Sequence, residues 1–198
     1  KFDSVMVLWY PGSQGGKAAA KILFGENSPS GKLPVTFYES LEELPEFTDY
    51  SMKGRTYRYM EGKAQFPFGY GLTYSNVKVE NAEVRQCGRK ITVEAEVYNK
   101  GNADTEEVVQ VYVKNLDSKN AIPNPALGGF QRIFIKAGER RKVMVPVWEK
   151  AFTVVDENGE RVEDGRKYEI FAGCSQPDER SIELTGTEPV KIIWEKED

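Results

Sequence analysis

Two patterns of apolar and polar positions divide this chain. From Asn76 onwards the residues alternate. In residues 90–98, Ile91, Val93, Ala95 and Val97 share one face, while Thr92, Glu94 and Glu96 take the other. That period of two marks a half-buried strand. The same reading predicts strands at 76–85, 108–114, 130–135, 141–147, 152–155, 160–162, 167–172 and 181–184, with a last short one at 190–194. Lys136-Ala137-Gly138-Glu139 is a turn between two of them, and Asn158-Gly159 is a strong hairpin signal. Short alternating strands in such close succession predict an antiparallel β-sandwich.

Before Asn76 the pattern is of another kind. Val5 to Trp9 is a nearly continuous apolar run, the signature of a strand buried on both faces. Residues 11–16 form a glycine-rich turn, and 17–24 have helical spacing, with Ala18, Ala19, Ile22 and Leu23 on one face and Gly25 placed to end the helix. Strand, turn and helix make half of a βαβ unit. A second turn at 27–32 leads to a brief strand at 33–37, where Pro34 argues for an edge or a strand end. Residues 39–48 are acidic and interrupted by Pro45, so an exposed loop or a single helical turn is expected. Residues 54–74 then combine Tyr57, Tyr59, Phe66, Phe68, Tyr70 and Tyr74 with Arg55 and Arg58, broken by glycines and Pro67. Neither helix nor strand runs far through such a stretch. It reads as an aromatic strap pinned across protein surfaces, each Tyr and Arg burying a body and wetting a polar tip.

Composition narrows the chemistry. The formal net charge is −4 and both signs are interspersed, so no nucleic-acid-binding face is expected. No apolar run approaches the ~20 residues of a membrane helix. The start, KFDSVMVLWY, resembles neither a signal peptide nor an initiator region and suggests an excised piece. Histidine is absent, which excludes within this chain Ser-His or Cys-His catalysis and any His-ligated metal. Cys87 and Cys174 form no metal or redox motif; buried free thiols are the simpler expectation, and a disulfide between adjacent strands stays open. Neither Gly-rich stretch fits a phosphate site. PGSQGG lacks the dinucleotide spacing, and GENSPSGKL has one residue too many between its glycines, with Leu33 where Ser or Thr would hold magnesium. No cofactor or metal is expected.

Trp9-Tyr10-Pro11-Gly12, Gly15-Gly16, Leu23-Phe24-Gly25, the run Pro29 to Phe37, Gly54-Arg55-Thr56-Tyr57-Arg58-Tyr59 and the run Phe66 to Tyr74 stand in the order seen in glycoside hydrolase family 3. Further on, Gly128-Gly129-Phe130-Gln131-Arg132-Ile133 followed by Ala137-Gly138-Glu139 resembles that family's fibronectin type III-like domain. The resemblance is to the C-terminal part of β-glucosidase-like enzymes. It implies a mainly β chain: the C-terminal portion of an α/β sandwich domain at 1–48, the linker strap at 49–75, and a fibronectin type III-like, immunoglobulin-like sandwich at 76–198.

Family members retain configuration at the anomeric carbon, using an Asp nucleophile on a barrel and, in many, a Glu acid/base on the α/β domain. Such a pair is held ~5–5.5 Å apart across the glycosidic bond. The barrel motif around the nucleophile is absent here, on whichever side of this piece the barrel stands, and the resemblance places the acid/base segment upstream of Trp9-Tyr10-Pro11-Gly12, so no catalytic residue is expected here and the piece alone is expected to be inactive. Glu26, Glu39, Glu42, Glu43 and Glu61 sit in no matching motif and read as solvated loop carboxylates. Arg55, Tyr57, Arg58 and Tyr59 are the candidates for interdomain contact. The implied partners are the missing catalytic barrel, the rest of the α/β domain and, for the whole enzyme, a β-glucoside or oligosaccharide. An orphaned half-domain also predicts self-association. The competing reading is a non-catalytic carbohydrate-binding or interaction module, although Tyr98, Tyr112, Phe130, Phe134, Trp148, Phe152, Tyr168, Phe171 and Trp194 fall in strand patterns that favour core positions. The absence of glycosylation sequons and of a disulfide pattern leans weakly towards a bacterial cytoplasmic parent.

Overall fold

The structure, a computed structural model, describes residues 4–196. Its elements begin with α1 (Gly15–Leu23), β1 (Phe37–Tyr38), a 3-10 turn at Leu41–Glu43, α2 (Thr56–Tyr59) and β2 (Ala64–Phe66). There follow β3 (Val77–Cys87), β4 (Lys90–Asn99), β5 (Thr105–Asn115), β6 (Ala126–Ile135) and β7 (Arg140–Val147). A 3-10 turn at Glu149–Phe152 leads to β8 (Val154–Val155) and β9 (Arg161–Val162), then β10 (Lys167–Gly173), α3 (Glu179–Thr185) and β11 (Val190–Glu195).

Strands β3-β4-β7 form one sheet and β11-β10-β5-β6 the other, with every pairing antiparallel. The predicted sandwich is this pair of sheets. Ile91, Val93, Ala95 and Val97 of β4 face Val109, Val111 and Val113 of β5, with Val143 and Val145 of β7 and Ile170 of β10 in the same core. Strand β3 keeps its apolar residues inward through a bulge. Val79 pairs with Val97 and Asn81 with Glu96, leaving Glu80 unmatched. Val77 and Val79 point inward before the extra residue, and Ala82 and Val84 pack on the core after it. A single inserted residue resets the period of two. Three aromatic rings close the core at β10: Phe152 meets Tyr168 at 5.1 Å and Trp194 at 5.4 Å. The Tyr168 hydroxyl donates to the carbonyls of Phe152 and Gly165, and burial pushes its pKa up to about 12.

Several expectations need correction. Residues 181–184 belong to a helix, not a strand. Asp178 caps it, its carboxylate accepting from the Ser181 amide at 3.0 Å and hydroxyl at 2.7 Å, and Gly186 ends it at φ 65°. Capping chemistry outweighs a four-residue alternation. Val5 to Trp9 form no strand and are exposed, because the described residues supply no sheet beside them. Of residues 33–37 only Phe37 is in a regular strand. Leu33 instead exchanges backbone hydrogen bonds with the strap, donating to Tyr70 O and accepting from the Gly69 amide. Cys87 is exposed at the end of β3, not buried, and both cysteines are free. Phe130, Phe134 and Trp148 are exposed rather than core: on β6 the first two alternate with Ile133 and Ile135, which take the inward positions.

Candidate functional site

Residues 54–75 cross the outer face of the four-stranded sheet, so the middle of β5 is buried on both sides. Tyr57 lies flat against Phe68, with ring centroids 4.2 Å apart, and both present edges to the buried Tyr112 of β5. Beneath the strap, Gln110 donates from Nε2 to the carbonyls of Gly69 and Cys174 and accepts from the Tyr112 hydroxyl at 2.7 Å. Gly69 has φ 76°, and a Cβ there would lie 2.4 Å from both Gln110 Oε1 and the Tyr112 hydroxyl. Only glycine lets the strap approach so closely.

The four strap candidates divide. Arg55 Nε donates to Ser51 O, and its Nη2 donates to the carbonyls of Glu46 and Asp49, which shapes the preceding loop. Tyr57 is buried, and its hydroxyl accepts from the Leu127 amide at 3.0 Å. Asn124 reaches back to the carbonyls of Tyr57 and Met60. Arg58 is exposed, its guanidinium 5.7 Å from the Tyr57 ring centre, and Tyr59 is half-buried. Thr56, a β-branched residue at φ 56°, donates its amide to the Tyr38 hydroxyl. Such a conformation persists only where the surroundings enforce it.

The strap continues into a second set of ties. The Tyr74 hydroxyl donates to Ile22 O at 2.7 Å, and Ser28 Oγ accepts from both the Tyr74 amide and the Thr105 hydroxyl. Arg132 donates to Ser30 Oγ and pairs with Glu106. Lys32 Nζ lies 2.8 Å from Glu107 Oε1, with side chains only 10% and 5% exposed. This ion pair opens on a cleft of about 230 Å³ whose walls include Thr73, Cys174, Thr187 and Glu188. Burial raises the Glu107 carboxyl, against the pull of Lys32. Burial also pushes the Cys174 thiol up, with Glu107 adding to the effect.

The structure gathers the carboxylates Glu26, Glu39, Glu42, Glu43 and Glu61 into no common site; all are exposed, Glu42 and Glu43 in the 3-10 turn and the others in loops. The ion pair of Glu107 with Lys32 is a polar centre that the motif reading passed over. A signal existed: Glu107 falls in phase with Val109, Val111 and Val113. Among the described residues no group of three or more His, Cys, Asp or Glu side chains is arranged to hold a metal, and no helix is long and apolar enough to cross a membrane.

A further surface lies on residues 4–52. Among the described residues, every buried apolar side chain comes at or after Tyr57. Before it, Trp9, Leu23, Leu41 and Met52 are exposed, Phe47 and Tyr50 are 93% and 90% exposed, and α1 buries no residue at all.

The glycosyl hydrolase family 3 C-terminal domain matches residues 1–74, and a fibronectin type III-like domain matches residues 107–176. The chain belongs to glycoside hydrolase family 3. Among its family 3 relatives, a xylan 1,4-beta-xylosidase from Xylanibacter ruminicola is 41% identical over 93% of this chain and 22% of its own length. A periplasmic beta-glucosidase from Salmonella typhimurium is 30% identical over 86% of this chain and 24% of its own. The solved beta-glucosidase of Kluyveromyces marxianus superposes with a TM-score of 0.78 at 27% identity, over 93% of this chain and 23% of that one. The chain therefore spans about a quarter of the length of the relatives it matches.

Proposed function

We propose that this chain is the C-terminal portion of a longer retaining β-glycosidase, where it supplies scaffold and interdomain packing and neither catalytic carboxylate. The observation that carries the reading is the uncovered apolar surface of residues 4–52, which lies within the stretch matched to the glycosyl hydrolase family 3 C-terminal domain. In this reading residues 1–48 complete an α/β domain, 49–75 strap it down, and 76–198 form the sandwich. Val5 to Trp9 become a strand once neighbouring strands are present, and the face of α1 carrying Leu23 is covered. Arg55 and Tyr57 hold the strap in shape, while Arg58 and Tyr59 make the interdomain contact. The substrate class is a β-linked terminal xylose or glucose, as the relatives' names suggest.

A retaining glycosidase needs one carboxyl as nucleophile and another as acid/base, ~5–5.5 Å apart. Here the loop glutamates are solvated, and Glu107 is occupied by Lys32. The test is activity on nitrophenyl β-xyloside and β-glucoside, for the chain alone and mixed with the separately expressed remainder of its parent. Silence alone with turnover on mixing is the expected result. Turnover by the chain alone would overturn the absence of catalytic groups, and silence on mixing would overturn the scaffold role.

A further inference from the structure

The loop at residues 39–53 holds its most apolar side chains away from the rest of the chain. We propose, resting on the reading of this chain as part of a longer protein, that it is a docking loop. Phe47 and Tyr50 are its anchors, and its partner is an apolar groove rimmed by Lys or Arg on the part of that protein outside this chain.

The loop is held from within by polar groups rather than by its rings. Arg55 ties the carbonyls of Glu46, Asp49 and Ser51 to one guanidinium. The Asp49 carboxylate accepts from the Ser51 amide at 2.8 Å and hydroxyl at 3.1 Å, and the Asp49 amide donates to Glu46 O at 2.9 Å. At the base, the Tyr38 hydroxyl donates to Gly54 O and accepts from the Thr56 amide. Phe47 and Tyr50 project from this frame into solvent, and Leu41 is 84% exposed beside them. Large, stiff aromatic side chains are the usual anchors of protein interfaces. A loop already ordered loses little further freedom when they are engaged.

Two observations select the occupant. The loop lies within the stretch matched to the glycosyl hydrolase family 3 C-terminal domain, and the relatives extend to about four times the length of this chain. The receiving surface therefore has ample chain to come from. Charge then sets its character. Between Lys32 and Lys53 the chain carries Glu39, Glu42, Glu43, Glu46 and Asp49, all exposed, and no Lys or Arg. An acidic rim around two aromatic anchors favours a groove flanked by cations. It also opposes a symmetric contact with the same loop of a second copy, because such a contact would set the carboxylates against one another.

The test is hydroxyl-radical footprinting of the whole parent protein beside this chain alone, with the buried Tyr112 as internal reference. Phe47 and Tyr50 are expected to react freely in the chain alone and to fall to the level of Tyr112 in the parent. Glu42→Lys together with Glu46→Lys in the parent is expected to restore much of their reactivity. Phe47→Ser with Tyr50→Ser should leave the thermal midpoint of the chain alone unchanged and lower that of the parent. Free reaction of both rings in the parent, or protection untouched by the charge reversal, would overturn the docking loop. Protection that grows with concentration in the chain alone would overturn it in favour of a second copy. Failure of the glycosidase reading would show separately, as silence on mixing, which footprinting does not measure.

Discussion

Asn99 is fully buried at the end of β4, and its amide joins three segments. Its Oδ1 accepts from the Ser75 hydroxyl and the Gly101 amide, while Nδ2 donates to the carbonyls of Ala103 and Ile135. Replacing it by alanine strands several partners at once, so Asn99→Ala is expected to lower stability by about 2–3 kcal/mol in denaturant titration. Glu107 makes a pH-dependent contribution. Lys32 is the titratable group that bears on it, and burial outweighs the lysine, so its folded pKa is raised. For a raised carboxyl the stability is fully present below the unfolded pKa and is lost as pH rises through the folded value. Denaturation midpoints measured across pH should therefore fall above the ordinary glutamate range, and Glu107→Gln should flatten that decline. Asp117 has the opposite sign: its carboxylate accepts from the Arg166 and Lys167 amides and is held below its usual range. Its contribution is lost as pH falls. The position of Glu107 in an apolar phase was legible in sequence, but its partner, seventy-five residues earlier, was not, because no local pattern encodes so distant a contact.

At the scale of elements, alternation sufficed wherever strands pack in a closed sandwich. Strands β4, β5 and β7 lie within a few residues of their predicted bounds, since one buried face fixes their register. Alternation failed where another force decided. The Glu80 bulge interrupts the period of β3, and Asp178 with Gly186 turns a short alternating run into α3. Val5 to Trp9 fail for a different reason: their apolar run describes a neighbourhood that the described residues lack. Helix α1 is in the same position. Its end is well made, with the Gly25 amide bonded to Ile22 O and the Glu26 amide to Lys21 O, yet it buries no residue fully and leaves Leu23 exposed. Leu23→Lys together with Phe24→Ser should leave thermal unfolding nearly unchanged. The same pair should reduce concentration-dependent self-association in sedimentation velocity.

For the whole molecule, the sandwich is complete on its inner faces but not on the outer face of β5. Tyr112 and Gln110 are buried only because the strap lies over them. A chain beginning at residue 76 is therefore expected to fold with lower stability and to bind a hydrophobic dye that the full chain excludes. Equal stability of the two would show that the strap is dispensable. The family motifs made the strap conspicuous in sequence, but its seat did not follow from them: Gln110, Leu127 and Asn124, which receive it, belong to no motif.

The ties at Ser28, Ser30 and Lys32 have one more consequence. All three belong to the stretch matched to the glycosyl hydrolase family 3 C-terminal domain, yet each is held by a residue of the sandwich: Thr105, Arg132 and Glu107. In a longer enzyme of the proposed kind, the sandwich is then no trailing ornament that trimming could remove without penalty. Shortening such an enzyme would leave a lysine ammonium without its counter-ion at the rim of the neighbouring domain. The boundary that looks most cuttable in the chain is the one at which the two parts are riveted.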